Sequence, residues 1–254
     1  MRQPRTTADT LLGGVLRLHQ PAEGYRFNVD ALLLAAFAAA GRVAGLVVDL
    51  GAGVGTIGLL LAHAGAARRV ALVEREPALL ALAERNLAEL GIPGGVFAAD
   101  LARDGLPRAL VQRADLVVVN PPFFVPGGGR PRKDARERSA RSGELAPFLR
   151  AASRALAGAK TRATFVYPAQ ALPALLADAA EHGLVAKRLR LVHARAEAPA
   201  RVALVELRAA KPGGLVVEPP LFEWTRAGKR TAELAAVVAG RFGAAVSRRA
   251  RTAL

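Results

Sequence analysis

The chain has 254 residues, enough for one sizeable α/β core with a small appendage. Its 36 Lys and Arg against 21 Asp and Glu give a formal charge of +15, an excess that points to a polyanionic partner, most simply nucleic acid. The absence of cysteine excludes disulfides and thiolate chemistry, and His19, His63, His182 and His193 lack metal-ligand spacing, so no metal is expected. No signal peptide or basic amphipathic anchor is visible, because Asp9, Gly13 and Gly14 break the apolar part of the N-terminus. The uncharged run from Leu50 to Ala67 approaches a membrane span in length, but a strand feeds it and glycines punctuate it. The expectation is a buried core element in a cytoplasmic protein with no membrane association.

Residues 1–10 are polar and are expected to fray. Leu11 to Gln20 suggests a hairpin around Gly13-Gly14, and Val29 to Ala40 a helix with Asn28 as its N-cap. Tyr25, Arg26 and Phe27 precede that helix in a chain with few aromatics. Two readings stay open there: a core staple for the helix, or a lining of the ligand and substrate pocket by Tyr25 and Arg26.

The stretch that organises the chain follows. Leu46, Val47 and Val48 suit a central parallel strand, and Asp49-Leu50-Gly51-Ala52-Gly53-Val54-Gly55 turns into an apolar helix from Thr56 to Ala64. Such a strand, turn and helix opens a cofactor-binding α/β domain. Gly53-Val54-Gly55-Thr56-Ile57-Gly58 matches the dinucleotide fingerprint, and Glu74 stands about where a ribose-binding acid is expected, so spacing leaves two cofactors open. Asp49 separates them. A carboxylate at this strand end repels a pyrophosphate, whereas S-adenosylmethionine carries an ammonium and a sulfonium and no phosphate.

Val70 to Glu74 is the second strand, Pro77 to Leu90 a helix opened by proline and closed by Gly91, and Val96 to Ala99 the third strand, ending at Asp100 and Leu101. Leu79, Leu80, Ala83, Leu87 and Leu90 share one helix face, and Glu84, Arg85 and Glu89 the opposite one. The fourth strand, Ala114 to Val119, runs into Asn120-Pro121-Pro122-Phe123-Phe124. From Pro126 to Gly143 a loop carries Arg130, Arg132, Lys133, Arg136, Arg138 and Arg141 against Asp134 and Glu137, either a substrate-binding loop or a solvated face. Helix Glu144 to Ala157, strand Arg162 to Tyr167, helix Pro168 to His182 and an antiparallel pair, Lys187 to Val192 and Arg201 to Arg208, complete the sheet. Leu215 to Trp224 reads as a small β extension, and Arg248, Arg249 and Arg251 as a basic tail.

Asn-Pro-Pro-aromatic at a strand end suits methylation of a planar nitrogen. An exocyclic amine has its lone pair delocalised into the ring, so it needs acceptors that hold its N–H groups and turn the lone pair toward the methyl. The Asn120 side-chain oxygen and the Pro121 carbonyl are candidates. Pro121 and Pro122 stiffen the turn, and Phe123 offers a stacking face for a base.

The glycine turn resembles motif I of the class I methyltransferases, and that resemblance implies S-adenosylmethionine as cofactor. It implies cofactor-binding roles for Asp49, Gly51, Gly53, Gly55 and Asn120, for Glu74 on the ribose hydroxyls and for Asp100 and Leu101 beside the adenine. Gln20-Pro21, Gly24-Tyr25-Arg26-Phe27-Asn28-Val29-Asp30-Ala31-Leu32-Leu33-Leu34-Ala35, Asp49-Leu50-Gly51-Ala52-Gly53, Asn120-Pro121-Pro122-Phe123-Phe124 and Lys187-Arg188-Leu189-Arg190-Leu191-Val192-His193 together resemble the bacterial valine-tRNA adenine-37 N6-methyltransferase family. The chain departs from it at Ala140-Arg141-Ser142-Gly143-Glu144, where an Ala-Arg-His-Glu-like element is expected. The resemblance implies one Rossmann-like α/β methyltransferase domain over 1–254. It has a seven-stranded, mostly parallel sheet with an antiparallel last strand and helices on both faces. Residues 1–45 form a hairpin and helix, 46–210 the cofactor-binding core and 211–254 a small extension. The implied activity is N-methylation of an exocyclic amino group of RNA, adenine N6 in tRNA first. Tyr25, Arg26, Phe123, Phe124, Arg130, Arg132, Lys133 and Arg136 are the substrate-binding candidates. Protein glutamine and rRNA guanine N2 remain alternative acceptors, and an RNA-binding protein with a degenerate pocket is the alternative of another class.

Overall fold

The computed structural model describes residues 5–23, 27–121 and 145–242. In chain order these form β1 (Thr6–Leu11), β2 (Leu16–Pro21), α1 (Val29–Ala39), β3 (Ala44–Leu50), α2 (Thr56–His63), β4 (Ala67–Glu74), α3 (Pro77–Glu89), β5 (Gly94–Ala98) and β6 (Leu116–Val119). After them come α4 (Leu145–Ala155), β7 (Arg162–Pro168), α5 (Leu172–Glu181), β8 (Val185–His193), β9 (Ala200–Arg208), β10 (Val216–Val217), β11 (Leu221–Phe222) and α6 (Ala232–Val238).

Side chains alternate across the strands, and almost every position of the central ones is apolar, so both faces of the sheet are covered. Val47, Val70, Leu72, Leu116 and Val118 join a core with α1, α2, the hairpin and α6. Val48, Leu50, Val73, Val117 and Val119 join a second core with α4 and α5 on the other side. The sheet runs β10-β8-β9-β7-β6-β3-β4-β5, with β11 also on β8. Strands β3 to β7 are parallel to one another, and β9 alone runs antiparallel, inserted between β7 and β8.

The fold is thus the Rossmann-like methyltransferase sheet, with nine strands where seven are expected, because β10 and β11 each lay two residues along the edge strand β8. Two further differences have local causes. Residues 6–11 are a strand, since Thr6 to Leu11 pair residue for residue with Leu16 to Pro21. The C-terminal extension also holds a helix, α6, whose Thr231 hydroxyl caps the Leu234 amide at 3.2 Å. At the hairpin tip Leu12 has φ +55, an outlier for a large side chain; its burial, against Gly240 after α6, offsets that strain.

The seam between α1, β8, β9 and the extension is ionic. Asp30 at the start of α1 and Glu223 both receive the Arg201 Nη2 at 2.7 Å. At the other end of α1, Arg188 donates to the Phe37 carbonyl at 2.6 Å, which also accepts the Ala40 amide at 3.3 Å, and Arg162 donates to the Ala38 carbonyl at 3.1 Å, so side chains help satisfy the last helical turn. Glu206, nearly buried, lies within 4.0 Å of Arg162, Arg188 and Arg208, Glu218 pairs with Arg188 at 3.4 Å, and Glu233 pairs with Arg190 at 2.7 Å.

Candidate active site

Parallel strands deliver their next residues to one edge of the sheet, and the register sets which ones stand side by side. Leu50 pairs with Val73 of β4 and with Val119 of β6, and Glu74 pairs with Ala98 of β5. The residues following these ends, Gly51, Asn120 and Ala99-Asp100, therefore share one edge with Glu74. The edge is centred between β3 and β6, where successive crossovers leave in opposite directions and open a crevice.

The turn after β3 is held from below. Gly51 and Ala52 donate to the Val73 carbonyl at 2.9 and 3.0 Å, and Gly55 donates to that of Ala52 at 2.8 Å. Gly51, Gly53 and Gly55 have φ of +70, +58 and +88. At Gly55 a Cβ would also meet Leu72 at 2.7 Å, so the turn needs glycine there for space as well as for conformation. At Gly51 a Cβ would lie 3.0 Å from the Phe148 ring of α4, which brings an aromatic face to the turn. Nothing in the sequence marks Phe148 except its place on a helix that packs beneath the site.

Alternation puts the Asp49 side chain on the α2 side of β3, between Val48 and Leu50, which face the other core. There it is buried, and its Oδ2 accepts the Gly58 amide at 2.9 Å. Burial pushes its carboxyl up to about 7, the Gly58 amide opposing and the Glu74 charge adding to the rise. Glu74 accepts the Gly53 amide at 2.8 Å on one oxygen and the Arg75 and Glu76 amides at 2.8 and 3.0 Å on the other, so the glycine turn and β4 meet at this carboxylate. Asp100 accepts the Ala102 amide at 3.0 Å and stands 3.7 Å from Arg75, while Leu101 is half-buried behind it. Asn120 is half-buried and Pro121 buried. Pro122, Phe123 and Phe124, like Tyr25, Arg26, Arg130, Arg132, Lys133 and Arg136, lie outside the described residues.

This donor set suits a cation-bearing, ribose-bearing ligand. Asp49 is the sole charged residue from Asp49 to Gly58, and Glu74 lies on the same edge for a diol. Asp49, Glu74 and Asp100 are the groups that could hold S-adenosylmethionine, the Gly51, Ala52, Gly53 and Gly55 amides being bound within the protein. Asn86 of α3 was not foreseen: it is fully buried on a face that periodicity reads as apolar, and it donates to the Val54 carbonyl of the turn at 3.0 Å. Among the described residues no His, Asp and Glu group has the geometry to hold a metal ion, and no helix is long and apolar enough to cross a membrane.

The methyltransferase small domain family matches residues 28–136, from the N-cap of α1 into the basic loop. The tRNA1(Val) (adenine(37)-N6)-methyltransferase of Porphyromonas gingivalis is 33% identical over 172 residues, covering 65% of this chain and 67% of that protein. The ribosomal RNA small subunit methyltransferase C of Actinobacillus pleuropneumoniae is 34% identical over 120 residues, 45% of this chain but only 35% of that protein. In architecture the chain is similar to a crystal structure described as a predicted O-methyltransferase from Agrobacterium tumefaciens, with a TM-score of 0.65 and 24% identity over 84% of this chain and 96% of the other. The chain belongs to the bacterial valine-tRNA (adenine-37-N6)-methyltransferase family, within the class I methyltransferases that use S-adenosylmethionine.

Proposed function

We propose that this chain methylates an exocyclic amino group of RNA in the cytoplasm, with adenine N6 of tRNA as the leading acceptor, and that one methyltransferase domain does so. The observation that carries the reading is the pairing of Val119 with Leu50, which brings Asn120-Pro121 to the same edge as Gly51 and Glu74. An acceptor amine held by the Asn120 oxygen and the Pro121 carbonyl would then lie beside the turn assigned to the cofactor. S-adenosylmethionine supplies an activated methyl on a sulfonium. Asn120 and Pro121 hold the two N–H groups so that the nitrogen lone pair faces that methyl. The amino proton would become acidic on methylation and could leave to solvent, so Asn120 and Pro121 need orient the amine and no strong base is required. Phe123 is assigned to stacking on the base, and Tyr25, Arg26, Phe124, Arg130, Arg132, Lys133 and Arg136 to the RNA. The relatives named for tRNA1(Val) favour tRNA, and the relatives named for ribosomal RNA favour a second reading in which the acceptor lies in rRNA. Methyl transfer from labelled cofactor to total tRNA, to ribosomal RNA and to purified release factors, followed by nucleoside digestion and mass spectrometry, tests the choice. N6-methyladenosine in tRNA supports it; label confined to rRNA or protein overturns it.

A further inference from the structure

A buried amide must find partners for its donor and acceptor or destabilise the fold, and Asn86, 1% exposed on α3, finds them in two separate parts of the chain. Its Oδ1 accepts the His19 amide at 2.7 Å and its Nδ2 donates to the His19 carbonyl at 2.9 Å. The side chain thus pairs with the edge of β2 as a peptide group of a neighbouring strand would. The same Nδ2 donates to the Val54 carbonyl at 3.0 Å. That carbonyl belongs to the peptide whose N–H, on Gly55, is already bound to the Ala52 carbonyl, so the peptide plane in the middle of the glycine turn is fixed at both ends.

From His19 the connection continues. Its ring meets the Glu89 carboxylate at 2.8 Å, one helical turn beyond Asn86, so the hairpin is clamped to α3 at two points. Gln20, almost fully buried, accepts the Phe27 amide at 3.2 Å and donates to Asp9. The hairpin therefore joins the cofactor turn at one end to Phe27, the residue after Tyr25-Arg26, at the other.

We propose that Asn86 is a positioning residue that couples occupancy of the cofactor turn to the rigidity of the N-terminal hairpin. The proposal rests on the reading of the glycine turn as the cofactor site. A ligand that fixes the turn holds the Val54 carbonyl, which holds the Asn86 amide, which holds both polar groups of His19; rigidity passes along the chain of bonds without a change of shape.

Amide hydrogen exchange of the full chain with and without S-adenosylhomocysteine tests it. In the wild type the ligand is expected to slow exchange at Gly53 to Gly55 and, by roughly fivefold or more, at Arg17 to Gln20. Asn86→Leu, similar in volume and without hydrogen bonds, should keep protection at the turn and lose it at the hairpin; Asn86→Ser serves if leucine is not accommodated. Glu89→Gln, which leaves Asn86 in place, should keep both. Protection of the turn but not of the hairpin in the wild type would overturn the link through Asn86 and leave the cofactor reading standing, as would hairpin protection that survives in the Asn86 variant. No protection at the turn would overturn the cofactor reading and the proposal with it.

Discussion

The Asp49 carboxylate accepts the Gly58 amide at 2.9 Å, and this bond ties the end of β3 to the first turn of α2. The group holds its proton to about pH 7 in the folded chain and to about 3.8 in the unfolded one, so the folded state binds more protons between these values. The stability it contributes is therefore fully present below pH 3.8 and is lost as pH rises through about 7. Asp49→Asn keeps an oxygen for Gly58 and carries no charge. It is expected to raise stability at pH 8 by on the order of 1–4 kcal/mol, measured by urea denaturation across pH. Binding of S-adenosylmethionine, a cation, favours the ionised carboxylate, so wild-type affinity should rise from pH 6 to 8. Titration calorimetry should find that rise gone in the variant.

Glu74 accepts three backbone amides, one of them Gly53 of the turn. S-adenosylhomocysteine is expected to raise the melting temperature of the wild type, and NAD to leave it unchanged, because only a ligand of the native state stabilises it by mass action. Glu74→Ala should lower stability by about 1–3 kcal/mol, chiefly by leaving the buried Gly53 amide unbonded, and remove the ligand-induced shift. Gly53→Asp should remove the shift while leaving a cooperative melt. A shift with NAD alone would contradict the assignment.

Arg201 holds two nearly buried carboxylates, Asp30 and Glu223. Burial works against its charge, but the hydrogen bonds to these two acids outweigh that and raise its pKa. Arg201→Met leaves both acids without their cation and should cost about 3–5 kcal/mol. Arg103→Ala, which breaks the exposed contact with Asp104, should leave stability nearly unchanged. Equal losses in the two variants would contradict this ranking.

Asn120→Ala should lower turnover by about 100-fold with cofactor affinity nearly intact, since the lost acceptor matters as the amine becomes a nucleophile. Phe123→Ala should weaken RNA binding as well, by the ~1–3 kcal/mol of a stacking face. Single-turnover rates and separate binding isotherms distinguish the two effects.

If Arg132, Lys133 and Arg136 contact phosphates, RNA affinity should fall with salt at a log-log slope of about −0.7 to −0.9 per contact, and the triple alanine variant should flatten it. An unchanged slope would return these residues to a solvated face.

Much of this was legible from residue types alone. Asn28 caps α1 as its chemistry demands, accepting the Asp30 amide at 3.0 Å, and Pro77 opens α3. The antiparallel pair β8 and β9 and the glycine turn stand where hydrophobic runs and breakers put them. What escaped the sequence are the contacts between distant segments. Asn86 breaks the apolar face of α3 because its partners lie 67 and 32 residues away. Thr6 to Leu11 looks too polar for a strand until its partner is known, and β10 and β11 are too short to show a period. Asp49 was legible as an acid at the turn, but alternation along β3 turns its side chain toward Gly58 and α2.

The ionic seam along α1 sets five arginines, Arg162, Arg188, Arg190, Arg201 and Arg208, against five carboxylates, Asp30, Glu206, Glu218, Glu223 and Glu233. It is neutral as a unit, so the entire formal excess of +15 resides on the rest of the chain. Because these charges cancel within the seam, the long-range field that draws a polyanion comes from the other basic residues of the chain. Salt that shortens the reach of that field would weaken the attraction to nucleic acid while leaving the seam, whose Asp30, Glu206 and Glu223 are nearly buried, far less affected.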